Sequence, residues 1–144
     1  MRARLPSSRR QRGATAVEFA LTVIIFLSLT FAVIEFARFM FLWTTAVEAT
    51  RLGARVAVVC DANEPGPAIS RMRELMPLLT EQNIEIDYPA LTCSAANCPP
   101  VTVRLQNVSI PLIIPVLPVS LPLPELSTSL PAESMDSTDN ALCR

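Results

Sequence analysis

The groups best suited to covalent or metal chemistry are four cysteines, Cys60, Cys93, Cys98 and Cys143. A catalytic thiolate needs an activating base, and the 144 residues contain no histidine and no lysine. A zinc site built from all four thiolates is the rival to disulfides, but its paired C-x2-C spacing is absent. An even cysteine count beyond a membrane-type segment reads as disulfides. Cys93-Ser-Ala-Ala-Asn-Cys98 is a short loop that can close on itself, leaving Cys60 to meet Cys143, although four cysteines allow three connectivities. The other acid–base groups are scattered carboxylates without a partner at recognisable spacing. With Gly13, Gly53 and Gly66 as the only glycines, no phosphate-cradling loop can be assembled. Neither an enzyme nor a bound metal or cofactor is expected.

Charge is distributed unevenly. Arg2, Arg4, Arg9, Arg10 and Arg12 fall in the first 12 residues with no acid among them. Without that block, 12 − 5 = 7 arginines face 13 acids, a net −6. An acidic body argues against nucleic acid, whose binders neutralise phosphates.

An apolar element follows the arginines. Residues 19–34 read FALTVIIFLSLTFAVI without a charge, and beyond Glu35 and Arg38 the run continues to Trp43. As a helix, these 25 residues reach about 37 Å, enough for a hydrocarbon core of about 30 Å. Trp43 suits the interfacial belt, and the arginines keep the N-terminus inside and the remainder outside. A signal-peptidase substrate would need a shorter core and small residues where Glu35 and Phe36 stand.

The junction reads Arg12-Gly13-Ala14-Thr15-Ala16-Val17-Glu18-Phe19. It resembles the processing site of type IV prepilins, where a peptidase cuts after glycine and the fifth mature residue is glutamate. Counted from Ala14, that residue is Glu18. GATAVEFAL, followed by Val33-Ile34-Glu35-Phe36-Ala37-Arg38, is similar to the TadE family of tight-adherence (Tad, or Flp-type) pseudopilins. The resemblance is specific over residues 9–59. It implies cleavage between Gly13 and Ala14, and a long helix carrying a small head. The implied partners are a prepilin peptidase, other pilins and pseudopilins, an inner-membrane assembly platform and the lipid bilayer.

A carboxylate one turn into an apolar helix is costly unless paired. Cutting before Ala14 would create an ammonium four residues ahead of Glu18, on roughly the same face. The rival is that Glu18 sits solvated among the headgroups. Glu35 and Arg38, three apart, are helix neighbours. They read as a pair at the outer interface with Arg38 snorkelling, or as a contact setting register with a neighbouring pilin.

Residues 44–60 lack proline and continue the helix, which over 14–59 would be roughly 69 Å long. Thr44, Glu48, Arg51 and Arg55 share one face, and Ala46, Ala49, Thr50, Gly53, Val56, Ala57 and Cys60 the other. Gly53 in a helix costs about 1 kcal/mol, which close packing would explain. Residues 61–67 break the helix, and 68–82 have helical spacing with a kink expected at Pro77. Residues 83–88 and 101–108 read as an antiparallel strand pair, with a third strand somewhere in 125–135. Residues 110–124 carry no charge but five prolines, so they read as an extended apolar connection. The tail from Ser134 is polar and expected to be mobile apart from Cys143.

The expected fold class is therefore α+β and pilin-like. A leader, 1–13, precedes a long helix, 14–60, that spans the membrane over 19–43. A small periplasmic α+β head, 61–135, and a polar tail, 136–144, complete the chain. The expected function is that of a TadE-like minor pseudopilin in pilus assembly for adhesion, held in a bacterial inner membrane. The alternative is an uncleaved single-span envelope protein whose head is a partner-binding module.

Overall fold

The computed structural model describes residues 9–88, 99–113, 119–133 and 135–143. The chain divides into two compact units, Met1–Arg38 and Phe39–Arg144. Helix α1 (Arg9–Ala57) runs through the unit boundary and contains no proline. In the first unit nearly every side chain from Gly13 to Ile34 is exposed. Its hydroxyls bond inward: Thr22 to the Glu18 carbonyl, Ser28 to that of Ile24, and Thr30 to that of Phe26. Such back-bonding lets a polar residue ride on an apolar helix without an unsatisfied donor.

In the second unit α1 is amphipathic. Thr44, Glu48, Arg51 and Arg55 are exposed, whereas Ala46, Ala49, Thr50, Gly53, Val56 and Ala57 are buried. Helix α2 (Gly66–Leu75) begins behind Pro65, with Pro67 in its first turn, where a missing N–H costs nothing. It stops at Met76, whose φ of −131° and ψ of 90° are extended. The expected kinked helix through Pro77 is thus a helix that ends. Pro77 disfavours α geometry in the residue before it and removes the next donor. A turn then brings Leu79 into the core beside Met72 and Met76, all three 2% exposed or less.

Strands β1 (Ile84–Asp87), β2 (Val101–Leu105) and β5 (Leu126–Leu130) form an antiparallel sheet ordered β1-β2-β5. Ile84 pairs with Leu105, Ile86 with Val103, and Val103 with Thr128. Alternation along β2 sends Val101, Val103 and Leu105 into the core. β5 is the third strand expected in 125–135.

The described residues of the proline-rich segment include a strand pair as well as extended chain. Strands β3 (Ser109–Pro111) and β4 (Ser120–Pro122) pair antiparallel, with Ile110 opposite Leu121. Each strand ends on its proline, where the missing amide interrupts little of the ladder. Ile110 and Leu123 are buried, whereas Ile113, Val119 and Leu121 are exposed.

The tail also departs from expectation, because backbone amides near it donate to the turn that follows α1. The Val58 carbonyl accepts from the Glu133 amide at 3.2 Å, and that of Val59 from the Asp136 amide at 2.9 Å. The Asp61 amide donates to Ser137 Oγ at 3.0 Å. A disulfide joins Cys60 to Cys143.

Candidate functional site

In the N-terminal unit, Gly13 and Ala14 lie inside α1, and both are exposed. A Cβ built on Gly13 meets nothing within 4 Å. Neither packing nor a left-handed backbone requires glycine there, and in a helix it costs about 1 kcal/mol against alanine. Gly53 is the opposite case. Its Cβ would lie 2.3 Å from Met72 Sδ and 2.8 Å from Met72 Cγ, so α1 and α2 approach closely there.

Glu18 is exposed one turn after Ala14. The i, i+4 spacing stacks the two on one face. Glu35 and Arg38 form an ion pair, Nη1 to Oε1 at 3.2 Å. Glu35 is only 8% exposed, while Phe36 beside it is 64% exposed.

In the head, Cys60 and Cys143 are 5.6 Å apart at Cα and 83 residues apart in sequence. Cys93 and Cys98 lie outside the described residues. Among the described residues no group of His, Cys, Asp or Glu side chains is arranged to hold a metal ion.

Sequence reasoning missed three polar links. Thr128 Oγ1 on β5 donates to Thr50 Oγ1 on α1 at 3.0 Å, and the Thr50 hydroxyl donates onward to the Val47 carbonyl. Asn83 Nδ2 donates to the Gln106 and Asn107 carbonyls, and its Oδ1 accepts from the Thr80 amide and hydroxyl. Asn107 has a φ of 55°, which asparagine tolerates. The third link is the tail. The hydroxyl and amide of Thr138 donate to the exposed Asp136 carboxylate and hold its pKa below the usual value. The one available signal was Thr50, a hydroxyl on a buried face of small residues.

The segment Gly13–Ala57 is long and apolar enough to cross a membrane. With the short helix and antiparallel sheets of the head it gives an α+β fold, and among the described residues this one helix suits a membrane anchor. Residues 13–55 match the family described as TadE-like protein. That stretch contains the junction, the apolar run and most of the small-residue face, and the TadE-like resemblance is shown there. No curated protein and no solved structure matches the chain.

Proposed function

We propose that the chain is a minor pseudopilin acting in assembly of a Tad/Flp-type pilus, cut by a prepilin peptidase between Gly13 and Ala14. Residues 1–13 are then a cytoplasmic leader, 14–60 the helix, and 61–135 a periplasmic head with its tail at 136–144. Adhesion is the role of the assembled pilus; this chain contributes helix association and head contacts with other pilins and the assembly platform.

The supporting observation is Gly13, a glycine for which the fold has no packing or backbone use. A peptidase that must unwind and enclose the bond after it has a use for it. Glycine weakens the helix, and the missing side chain admits close approach to the backbone. Cleavage would also remove arginines from a helix N-terminus, where cations oppose the macrodipole. Glu18 would remain in the first turns, where a carboxylate is favoured. It would then lie beside the Ala14 ammonium of its own chain or a neighbour, serving with Glu35 and Arg38 in helix pairing.

The mass of the mature N-terminus tests the reading. In cells with active prepilin peptidase the chain should begin at Ala14, and Gly13→Leu should leave it uncut. An intact chain beside active peptidase would favour the uncleaved envelope protein with a partner-binding head.

A further inference from the structure

We propose that the turn at residues 75–78 docks the head onto the surface of the lipid bilayer, with Leu75 and Leu78 inserted among the phospholipids. This rests on the reading of α1 as a membrane span. A span needs about 20 residues, so the apolar run 19–43 places its last turn, 39–43, at the boundary between hydrocarbon and headgroups. The Phe39 and Trp43 rings, 6.1 Å apart, belong to that turn.

The head returns to the same level. Met72 of α2 packs on Gly53 of α1. α2 then leads to a groove of 410 Å³ lined by Leu75, Pro77 and Leu78 on one side and Phe41 and Leu42 on the other. α2 thus descends along α1, and its last turn lands beside the end of the apolar run. Leu75 and Leu78 are 43% and 44% exposed and Phe41 is 68% exposed, while Met76 and Leu79 between and after them are buried. Core packing claims one side of this turn and leaves two leucines facing out.

The polar groups of the groove are already engaged. The Thr44 and Thr45 hydroxyls both donate to the Phe41 carbonyl. Glu48 accepts from Arg51 at 2.8 Å. The volume suits a ligand cleft, about 300–1,000 Å³, but such clefts place free polar groups to orient their ligand. This lining offers hydrocarbon. Neighbouring residues of the same segment are charged and exposed, with Arg71 paired to Glu74 and Arg73 to Glu81. Apolar side chains bordered by charged pairs, beside the last turn of the apolar run, match a membrane–water interface.

Trp43 is the only tryptophan, so Trp43→Phe with Leu78→Trp moves the single indole to the groove. The full chain is reconstituted in phosphatidylcholine vesicles brominated either near the glycerol or near the chain ends. The indole at position 78 should be quenched by the shallow bromines as strongly as Trp43 is in the parent chain, and only weakly by the deep ones. Leu75→Trp should behave alike. Glu64→Trp, before the far end of α2, should escape quenching. An intact Cys60–Cys143 bond in each variant verifies the fold. If Trp43 is quenched but positions 75 and 78 respond no more than position 64, the head stands clear of lipid and the proposal fails while the span survives. Protection of position 78 by a second copy, seen as a blue-shifted indole that bromines do not reach, also overturns it. An unquenched Trp43 removes the span and the proposal together.

Discussion

Met72 Sδ occupies the space above Gly53, only 2.3 Å from where a Cβ on that glycine would stand. Met72 is fully buried, so its side chain has little room to yield. Gly53→Ala should destabilise the head: overpacking costs about 1–3 kcal/mol, against about 1 kcal/mol gained in helix propensity. Gly53→Leu should cost more. Urea unfolding in detergent reads both. Adding Met72→Ala to Gly53→Ala should cost less than the two changes summed, because the methyl fills space that the methionine vacates. A Gly53→Ala chain more stable than the parent would show that Met72 moves aside freely.

Cys143→Ser should lower head stability by about 2–5 kcal/mol, since the lost bond closes a long loop. The bond joins residues 83 apart. It also secures the tail at the carbonyls of Val58 and Val59. Thermal unfolding should show the loss, and limited proteolysis should reach residues 133–143 in the variant first. Equal melting temperatures for the variant and the oxidised parent would remove the disulfide from the stabilising contacts.

Tyr88 is the only tyrosine, and its buried hydroxyl has no hydrogen-bond partner among the described residues. Burial foremost, and then the charge of Asp61, push its pKa above the ordinary 10.0. Between the unfolded and folded values the folded chain holds a proton that the unfolded chain has released, so stability falls with rising pH. The contribution is complete below pH 10.0 and lost as pH climbs through the folded pKa. Phenolate absorbance should therefore titrate later in the folded chain than in the unfolded one. Tyr88→Phe should remove this part of the alkaline destabilisation. Coincident folded and unfolded titrations would contradict the burial.

Glu18→Ala tests pairing separately from cleavage. The substituted chain should insert and be cut largely as before, because cleavage depends on Gly13. Its recovery with other pilus subunits should fall, since an unpaired carboxylate or ammonium in lipid is costly. Glu35→Ala should lose less, because the Arg38 it leaves behind stands near the end of the run and can snorkel to the interface. Parent-like assembly with Glu18→Ala would leave that carboxylate a solvated bystander.

A reporter fused after Arg144 should be active only outside the cytoplasm, because the arginines at positions 2–12 resist translocation. Protection of the C-terminus from protease added to spheroplasts would reverse that orientation.

The apolar run, the Gly13 to Glu18 junction and the alternation in NIEIDY and VTVRL were legible because each is a local signal. A helix long enough to span lipid, a strand with one wet face and a recognised junction all depend on neighbours within a few residues. Even the small-residue face of α1 and the reason for Gly53 could be read, since helical periodicity places Gly53 among alanines. Pro77 and the apolar spacing of Leu75, Met76 and Leu79 give opposing local signals, a break against a continued helix. The backbone obeyed the proline and a turn satisfied the spacing.

What only the tertiary structure decided are pairings between distant groups that have many equivalent candidates. Donors abound toward the C-terminus, and nothing local says that the Glu133 and Asp136 amides, rather than others, reach the Val58 and Val59 carbonyls just past α1. Thr50 and Thr128 are separated by 78 residues, and their hydrogen bond exists because α1 and β5 are brought together. The same holds for the exposed leucines at 75 and 78. The sequence shows two apolar residues, but only the close packing of Met72 on Gly53 directs α2 down along α1 and sets them beside Phe41. Local chemistry determines which segments form and which solvent they prefer; the one packing that satisfies buried carbonyls and fills the core determines where their remaining surfaces meet.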